Sequence, residues 1–407
     1  MSDLVNLEPR PGRVKIEEVI HITEKGNVDI TGIIVEFNIH SSVFITSSVA
    51  VLTITDHINY LANGELESGD TIKISITYND ATIEYRYKVS KIESIVNFQS
   101  GKSYNVKLIS DLEYTSIYRR ISQSFVGQTS EIAMKIFEEY GDEKYNIWEP
   151  SIGHETVCIP MWSPIKTIDW LAKRSRSNDS PSRFMFFQDS MQRYNFMSLA
   201  KLREFYQDPV MTYVYNRDNL GEQKASGLHP NSGAVMNTIF SIEFQDLYDA
   251  RQGYDTGTLR NTKIRTDFTT KTIDYLQNSY WDTYSAKSAN NKYLWKYEET
   301  EPGKISLENT QYNSTPSGGF NKTSDETTAS PRMDVSQQCE IMVVGTPAVD
   351  IGMLVNIEIP TMEPESSVKE HDLDQVWSGL YYVVAKRDVM DRTGHKMALR
   401  LVKGSKL

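Results

Sequence analysis

One strand pattern is written twice in this chain, and that limits the possible folds more than any other feature. Gly69-Asp-Thr-Ile-Lys-Ile-Ser-Ile76 and Gly352-Met-Leu-Val-Asn-Ile-Glu-Ile359 both read Gly-x-x-[Ile/Val]-x-Ile-x-Ile, a turn glycine followed by a strand with one apolar face. Next, Tyr87-Lys-Val-Ser-Lys91 pairs with Tyr382-Val-Val-Ala-Lys386. A third strand opens at Gly101 and ends Val106-Lys-Leu-Ile109, and its counterpart opens at Gly394 and ends Leu399-Arg-Leu-Val402. Each element alone could belong to any β-meander. Three in the same order point to a duplicated β-unit, the second copy carrying an inserted acidic loop, TMEPESSVKEHDLD (361–374). Two like units per chain let three chains present six similar units around one axis.

The rest of the chain arranges itself around that repeat. Residues 1–13 are polar and rich in Pro and Gly, as expected of an arm. Residues 14–118 alternate apolar and polar positions with period two and read as a first antiparallel β-barrel. Residues 119–210 read as a compact α+β domain. It has one helix over about 130–140, capped by Thr129 and stopped by Gly141, and a second opening at Ser163-Pro164 with Ser as cap and Pro at the first helical position. A Phe-rich hairpin follows, with Phe184, Phe186, Phe187 and Phe196 expected in the core. Strands over 211–250 are expected to join a second barrel at 331–407. Between them, residues 251–330 form an inserted excursion with one helix near 270–295. The fold class expected is α+β, mostly β: two similar antiparallel β-barrel domains, a helix-containing middle domain and an excursion.

Composition excludes several functions. The 407 residues carry 43 basic and 54 acidic side chains, a net charge of −11, the wrong sign for gripping phosphates. Only Cys158 and Cys339 are present, which argues against a disulfide scaffold and for a reducing folding compartment. No stretch approaches the ~20 apolar residues of a membrane-spanning helix, so no stable membrane insertion is expected.

No catalytic constellation emerges, and no enzyme, cofactor or metal is expected. His154-Glu155 has Cys158 where a zinc-protease helix needs a second His. Gly101-Lys102-Ser103 lacks the glycine spacing of a phosphate loop. Lys369-Glu370-His371-Asp372-Leu373-Asp374 reads as a solvated acidic loop, and Cys158, in an apolar run, reads as core. Candidate contact residues are the basic cluster Lys173, Arg174, Arg176 and Arg183, which also complements a helix C-terminus, and the acidic loop's Glu363, Glu365, Glu370, Asp372 and Asp374.

Cys158-Ile-Pro-Met-Trp-Ser-Pro164, the helix IKTIDWLAKRS after it, and FMFFQDSMQRYNFMSLAKL (184–202) resemble the baseplate hub proteins of contractile phage tails. Related modules occur in siphophage tail bases and type VI secretion spikes. The resemblance implies a homotrimer whose barrels form a pseudo-hexameric ring. That ring adapts the six-fold tail tube to the three-fold central spike, with DNA passing through an acidic lumen without specific binding. It implies as partners the tail tube protein, the central spike protein, the tape measure protein and baseplate wedge components. It also implies assembly in the host bacterial cytoplasm and a place in the virion. Because the sequence stops at Leu407, directly after the second barrel, any spike or hydrolase is expected on a separate polypeptide. Two other readings stay open: a tail-associated cell-wall hydrolase, which needs an acid–base or metal site, and a receptor- or glycan-binding β-module, favoured by 23 Tyr and 6 Trp.

Overall fold

The computed structural model describes residues 14–23, 26–63, 66–78, 81–141, 144–177, 184–215, 237–245, 251, 255, 260–267, 271–279, 304–310, 337–361, 373–391 and 394–403. The chain is mostly β, with four α-helices among these residues.

The first strand unit comprises β1 (Val14–Thr23), β2 (Gly26–Asp29), β3 (Ile34–Ser42), β4 (Val49–Asp56), β5 (Thr71–Tyr78), β6 (Ala81–Phe98) and β7 (Gly101–Ile109). They pair in the order β2-β1-β5-β6-β7-β4-β3, antiparallel throughout. The period-two pattern holds most cleanly in β4, where Ala50, Leu52 and Ile54 are fully buried and their neighbours half-exposed. With Phe37, Ile39, Ile72, Ile74, Val106 and Leu108 they fill one core.

The middle domain follows as α1 (Asp111–Tyr118), β8 (Ile121–Gly127), α2 (Thr129–Tyr140), β9 (Tyr145–Trp148), β10 (Glu155–Trp162), α3 (Pro164–Arg174), β11 (Phe184–Gln188), β12 (Tyr194–Ser198) and α4 (Leu199–Phe205). Gln128, not Thr129, is the N-cap of α2. The Thr129 hydroxyl instead bonds Ser151 at 2.9 Å and Ser175, the C-cap of α3, at 2.7 Å, so it ties two helix ends together. Gly141 follows α2 as expected but in extended backbone, not a left-handed cap. Pro164 opens α3, although the Ser163 side chain makes no capping bond. The Phe-rich hairpin β11–β12 is buried on both faces, which explains its continuous apolar run. Phe184, Phe186 and Phe196 enter the helical core, while Phe187 and Met197 enter the core of the second strand unit.

That second unit begins with β13 (Met211–Val214) and β14 (Ser241–Phe244). The excursion then forms its own sheet from β15 (Arg260–Asp267), β16 (Thr272–Ser279) and β17 (Lys304–Thr310). The helix expected near 270–295 is therefore not formed over 272–279. Alternating β-favouring residues such as Thr272, Ile273 and Tyr275 pair that segment with β15 instead. The unit closes with β18 (Gln338–Val344), β19 (Leu354–Glu358), β20 (Gly379–Asp391) and β21 (Gly394–Lys403), around Ile341, Val355, Ile357, Val383, Leu399 and Leu401.

The two units, each with its own core, are joined edge to edge. β20 pairs antiparallel with β3, from Ala385↔Ser42 to Asp391↔Glu36, so both belong to one 13-stranded sheet.

Candidate assembly interface

Six strands of the first unit have a counterpart at the same place in the second, and β2 has none. The first unit runs β1-β5-β6-β7-β4-β3 across its sheet and the second β13-β19-β20-β21-β18-β14, with the same succession along the chain. The excursion occupies the connection between β14 and β18, where the first unit has only the short β3–β4 link.

Registers match too. Gly69 and Gly352 both adopt left-handed backbone, with φ of +94° and +84°. Each donates its N–H to the next strand, Gly69 to Val89 at 2.8 Å and Gly352 to Val383 at 2.7 Å. Each glycine also lies under a helix side chain, Tyr114 of α1 in one case and Leu202 of α4 in the other. A β-bulge sits at Val89/Lys91 in β6 and at Val383/Ala385 in β20, opposite Leu108–Lys107 and Leu401–Arg400. Val106–Ile109 is thus equivalent to Leu399–Val402, as the sequence suggests. The middle match shifts by one residue: Tyr87, opposite Ile72, corresponds to Tyr381, opposite Val355, and not to Tyr382. Two adjacent tyrosines in β20 make the two alignments indistinguishable by residue type. One pairing differs between copies, since β13 runs parallel to β19 whereas β1 runs antiparallel to β5.

The seam between the units is held by buried polar groups. Ser42 Oγ and Val43 N–H both donate to the Val384 carbonyl, at 3.1 and 3.0 Å. The middle domain is tied to the first unit beside that seam: Gln188 of β11 accepts from Ser48 N–H and Oγ, at 3.1 and 2.9 Å, and the Tyr194 hydroxyl meets Ser47 and Ser110. On β20, Lys386 lies 3.2 Å from Asp388, whose other oxygen meets His395 Nε2 at 2.8 Å, all three buried. Burial works against the Asp388 charge, but Lys386 and His395 outweigh it and hold the carboxyl below its ordinary range. Gly345 must be glycine here, because a Cβ would meet the His395 ring at 2.2 Å.

Beside this triad, Asp189 accepts from Arg193 Nε at 2.9 Å, while Ser190 N–H donates to Asp350 at 3.2 Å. Burial, and then the Asp350 charge, push the Asp189 carboxyl up to about 7 against the pull of Arg193. These contacts form a structural knot tying the β11–β12 turn to the Asp350 segment before β19. Among the described residues no group of three or more His, Cys, Asp or Glu side chains is arranged to hold a metal, and no helix is long and apolar enough to cross a membrane.

Outside the seam, several strands have an edge without a strand partner among the described residues, and two of these edges are the counterparts of the pair that meets at the seam. β14 pairs only with β18. Beyond Val89, β6 pairs only with β7 among the described residues. That far half of β6 is exposed from Ser94 to Phe98, including Ile95, Val96 and Phe98, at 54%, 60% and 41% exposure. Apolar side chains on an open strand edge form a template for another chain.

Of the residues singled out in the sequence, the described ones are engaged within the chain. Lys173 pairs with Asp169 one turn earlier on α3. Arg174 meets Glu155 at 3.2 Å and lies over the Trp170 ring. Arg176 is half-buried, and its carbonyl accepts from Ile152 N–H. Asp374 caps its own turn, accepting from Val376 N–H at 2.7 Å and Trp377 N–H at 3.0 Å. Arg183, Glu363, Glu365, Glu370 and Asp372 lie outside the described residues. Cys158 is exposed, contrary to its expected core position: in β10 the pleat turns Val157 and Ile159 inward and Cys158 outward. Cys339 is buried, and burial pushes its thiol up to about 12. The open edges were missed because nothing in a strand's own residues says which of its edges is paired.

No protein-family model matches the sequence, and no curated protein sequence does either. Solved structures do match. A tail protein from Neisseria meningitidis MC58 aligns over 95% of this chain and 96% of its own, with a TM-score of 0.56 at 10% identity. The 43 kDa tail protein of prophage MuSo2 from Shewanella oneidensis aligns over 95% and 98%, with a TM-score of 0.55 at 11% identity. The chain has the phage tail protein fold. At such identity the likeness concerns the fold alone, and the tail-protein fold here includes the doubled strand unit, the helical middle domain and their order.

Proposed function

We propose that this chain is a structural subunit at the base of a phage tail, three copies closing a ring of six similar strand units. The ring adapts a six-fold tube to a three-fold spike around the DNA channel. The observation that carries this reading is the duplication with matched order, register and bulge. One chain already joins two such units edge to edge, and repeating that junction head to tail gives a ring when the rotation closes. An acidic net charge suits a wall that duplex DNA must pass without sticking. The tail-protein fold supports the location.

The test is sedimentation of the purified chain, followed by class averages of assembled tails. A trimer, and three-fold density at the tail axis between tube and spike, is the expected outcome. A monomer at tens of micromolar, both alone and with tube and spike proteins, would remove the reading.

A further inference from the structure

The strand equivalence says more than that a ring can form, because it names the edges that meet and their register. Within the chain, the far half of β20 pairs with β3, with Phe37 opposite Met390. The counterpart of β3 is β14: Phe37 and Ile242 lie opposite Leu52 and Ile341, which are themselves equivalent. The counterpart of the far half of β20 is the far half of β6. Met390 lies opposite His395, one residue after Gly394, and Asn97 lies opposite Lys102, one residue after Gly101. So the first unit's β6 has the edge that β20 uses, and the second unit's β14 has the edge that β3 uses. Both are open among the described residues.

We propose that β14 of one copy pairs antiparallel with the far half of β6 of the next copy, with Ile242 opposite Asn97, Glu243 opposite Val96 and Ser241 opposite Phe98. The inference rests on the ring reading above and specifies its subunit contact.

Backbone hydrogen bonding agrees at every strand involved. Val43 N–H donates to Val384 O, and by two-residue alternation Phe37–Met390 is then a hydrogen-bonded pair of the internal junction. Ile242–Asn97 must therefore be hydrogen-bonded as well. Gln245 N–H donates to Gln338 O, which places Glu243 and Ser241 in the pairs bonded to β18 and leaves the Ile242 N–H and C=O facing the open edge. On β6, the two-residue turn pairs Phe98 with Gly101, and the same alternation turns the Asn97 backbone outward. The groups required to bond are the groups each edge leaves free among the described residues. Exposed Ile95, Val96 and Phe98 would be covered by the pairing, as Met390 is covered at the internal junction.

The experiment is paired cysteine substitution in the full chain, with Cys158→Ser to remove the exposed native thiol. Val96→Cys with Glu243→Cys places two thiols at a non-hydrogen-bonded pair, where side chains come closest. Oxidation is expected to give covalent dimers and closed trimers that reduction returns to monomer. Val96→Cys with Ile242→Cys, one register off and on opposite faces, is expected to give none. A second variant, Ile242→Pro, removes an N–H that no bond among the described residues uses, and is expected to abolish the trimer while leaving the thermal midpoint of the monomer in place. A wild-type trimer that fails to cross-link in register, or a trimer that survives Ile242→Pro, overturns this contact and leaves the ring reading standing. A wild-type monomer sinks the ring reading itself.

Discussion

The first and second strand units share order, register, turn glycines and a bulge, and they differ in what lies against two of their strands. β3 is covered by β20 of the same chain, whereas β14, its counterpart, has an open edge among the described residues. The far half of β20 is largely buried, whereas the far half of β6 is exposed. A difference between equivalent strands cannot come from the repeat itself, and it is this difference that the proposed subunit contact would account for. The comparison also shows how the internal seam is specialised. Lys386 on β20 corresponds to Ile92 on β6, so the buried Lys386–Asp388–His395 triad belongs to one copy only.

The largest test sets Phe37 against Ile242, equivalent positions in covered and open strands. Phe37→Ala removes a fully buried ring and is expected to cost ~3–5 kcal/mol in denaturant unfolding. Ile242→Ala, at a partly buried edge position, is expected to cost ~1 kcal/mol or less in dilute protein. Equal costs under dissociating conditions would mean that the edge of β14 is already covered within the chain.

Lys386→Met tests the seam's specialisation. It leaves Asp388 buried with only His395 as a cationic partner, and breaking such a pair typically costs ~3–5 kcal/mol. Ile92→Met, at the equivalent place on β6, is expected to change stability by under ~1.5 kcal/mol. A Lys386→Met protein as stable as wild type would show that the triad contributes no net stability at the seam.

Much of this organisation was legible in the residues. Turn glycines and alternating β-branched positions located the repeat, because a strand with one buried face must alternate and a left-handed turn favours glycine. The paired tyrosines Tyr381 and Tyr382 misplaced the middle element by one, since only cross-strand register separates them. The Thr-, Tyr- and Asn-rich excursion was assigned a helix where 272–279 is strand, its weak periodicity being overridden by pairing with β15. Charged residues drew attention as contact sites, yet Lys173, Arg174 and Asp374 are engaged by their own chain. The contact surface proposed above is a property of backbone edges, which side-chain identity does not encode.

The turn glycines give a smaller, paired test. Gly352→Ala and Gly69→Ala both force a Cβ into left-handed backbone, and each is expected to cost ~1–3 kcal/mol. The added Cβ would lie 2.7 Å from Leu202 Cδ1 in one unit and 2.3 Å from the Tyr114 hydroxyl in the other. Leu202 is fully packed in the second unit's core, whereas Tyr114 meets the glycine with the far end of its side chain. Gly352→Ala should therefore be the more costly. The reverse ranking in thermal unfolding would show that the two turns are not mechanically equivalent.

The smallest expected effect concerns pH at the knot beside the seam, which the first unit lacks. The Asp189 carboxyl is raised by burial and by Asp350 to about 7, so the native state favours its protonated form. The stability this contributes is fully present below the ordinary aspartate range and is lost as pH rises from there to about 7. Asp350→Asn removes the neighbouring charge while keeping an oxygen to accept from Ser190 and Ile351 N–H. The variant should lose less stability than wild type between pH 5 and pH 8, by about 1 kcal/mol, on the scale of one pKa unit. Asp388, whose carboxyl is held low, loses its contribution only as pH falls below the ordinary aspartate range, outside this window. Thermal midpoints of both proteins at the two pH values read the effect directly. A difference that stays flat would mean that Arg193 neutralises Asp189 fully and that Asp350 exerts no charge effect on it.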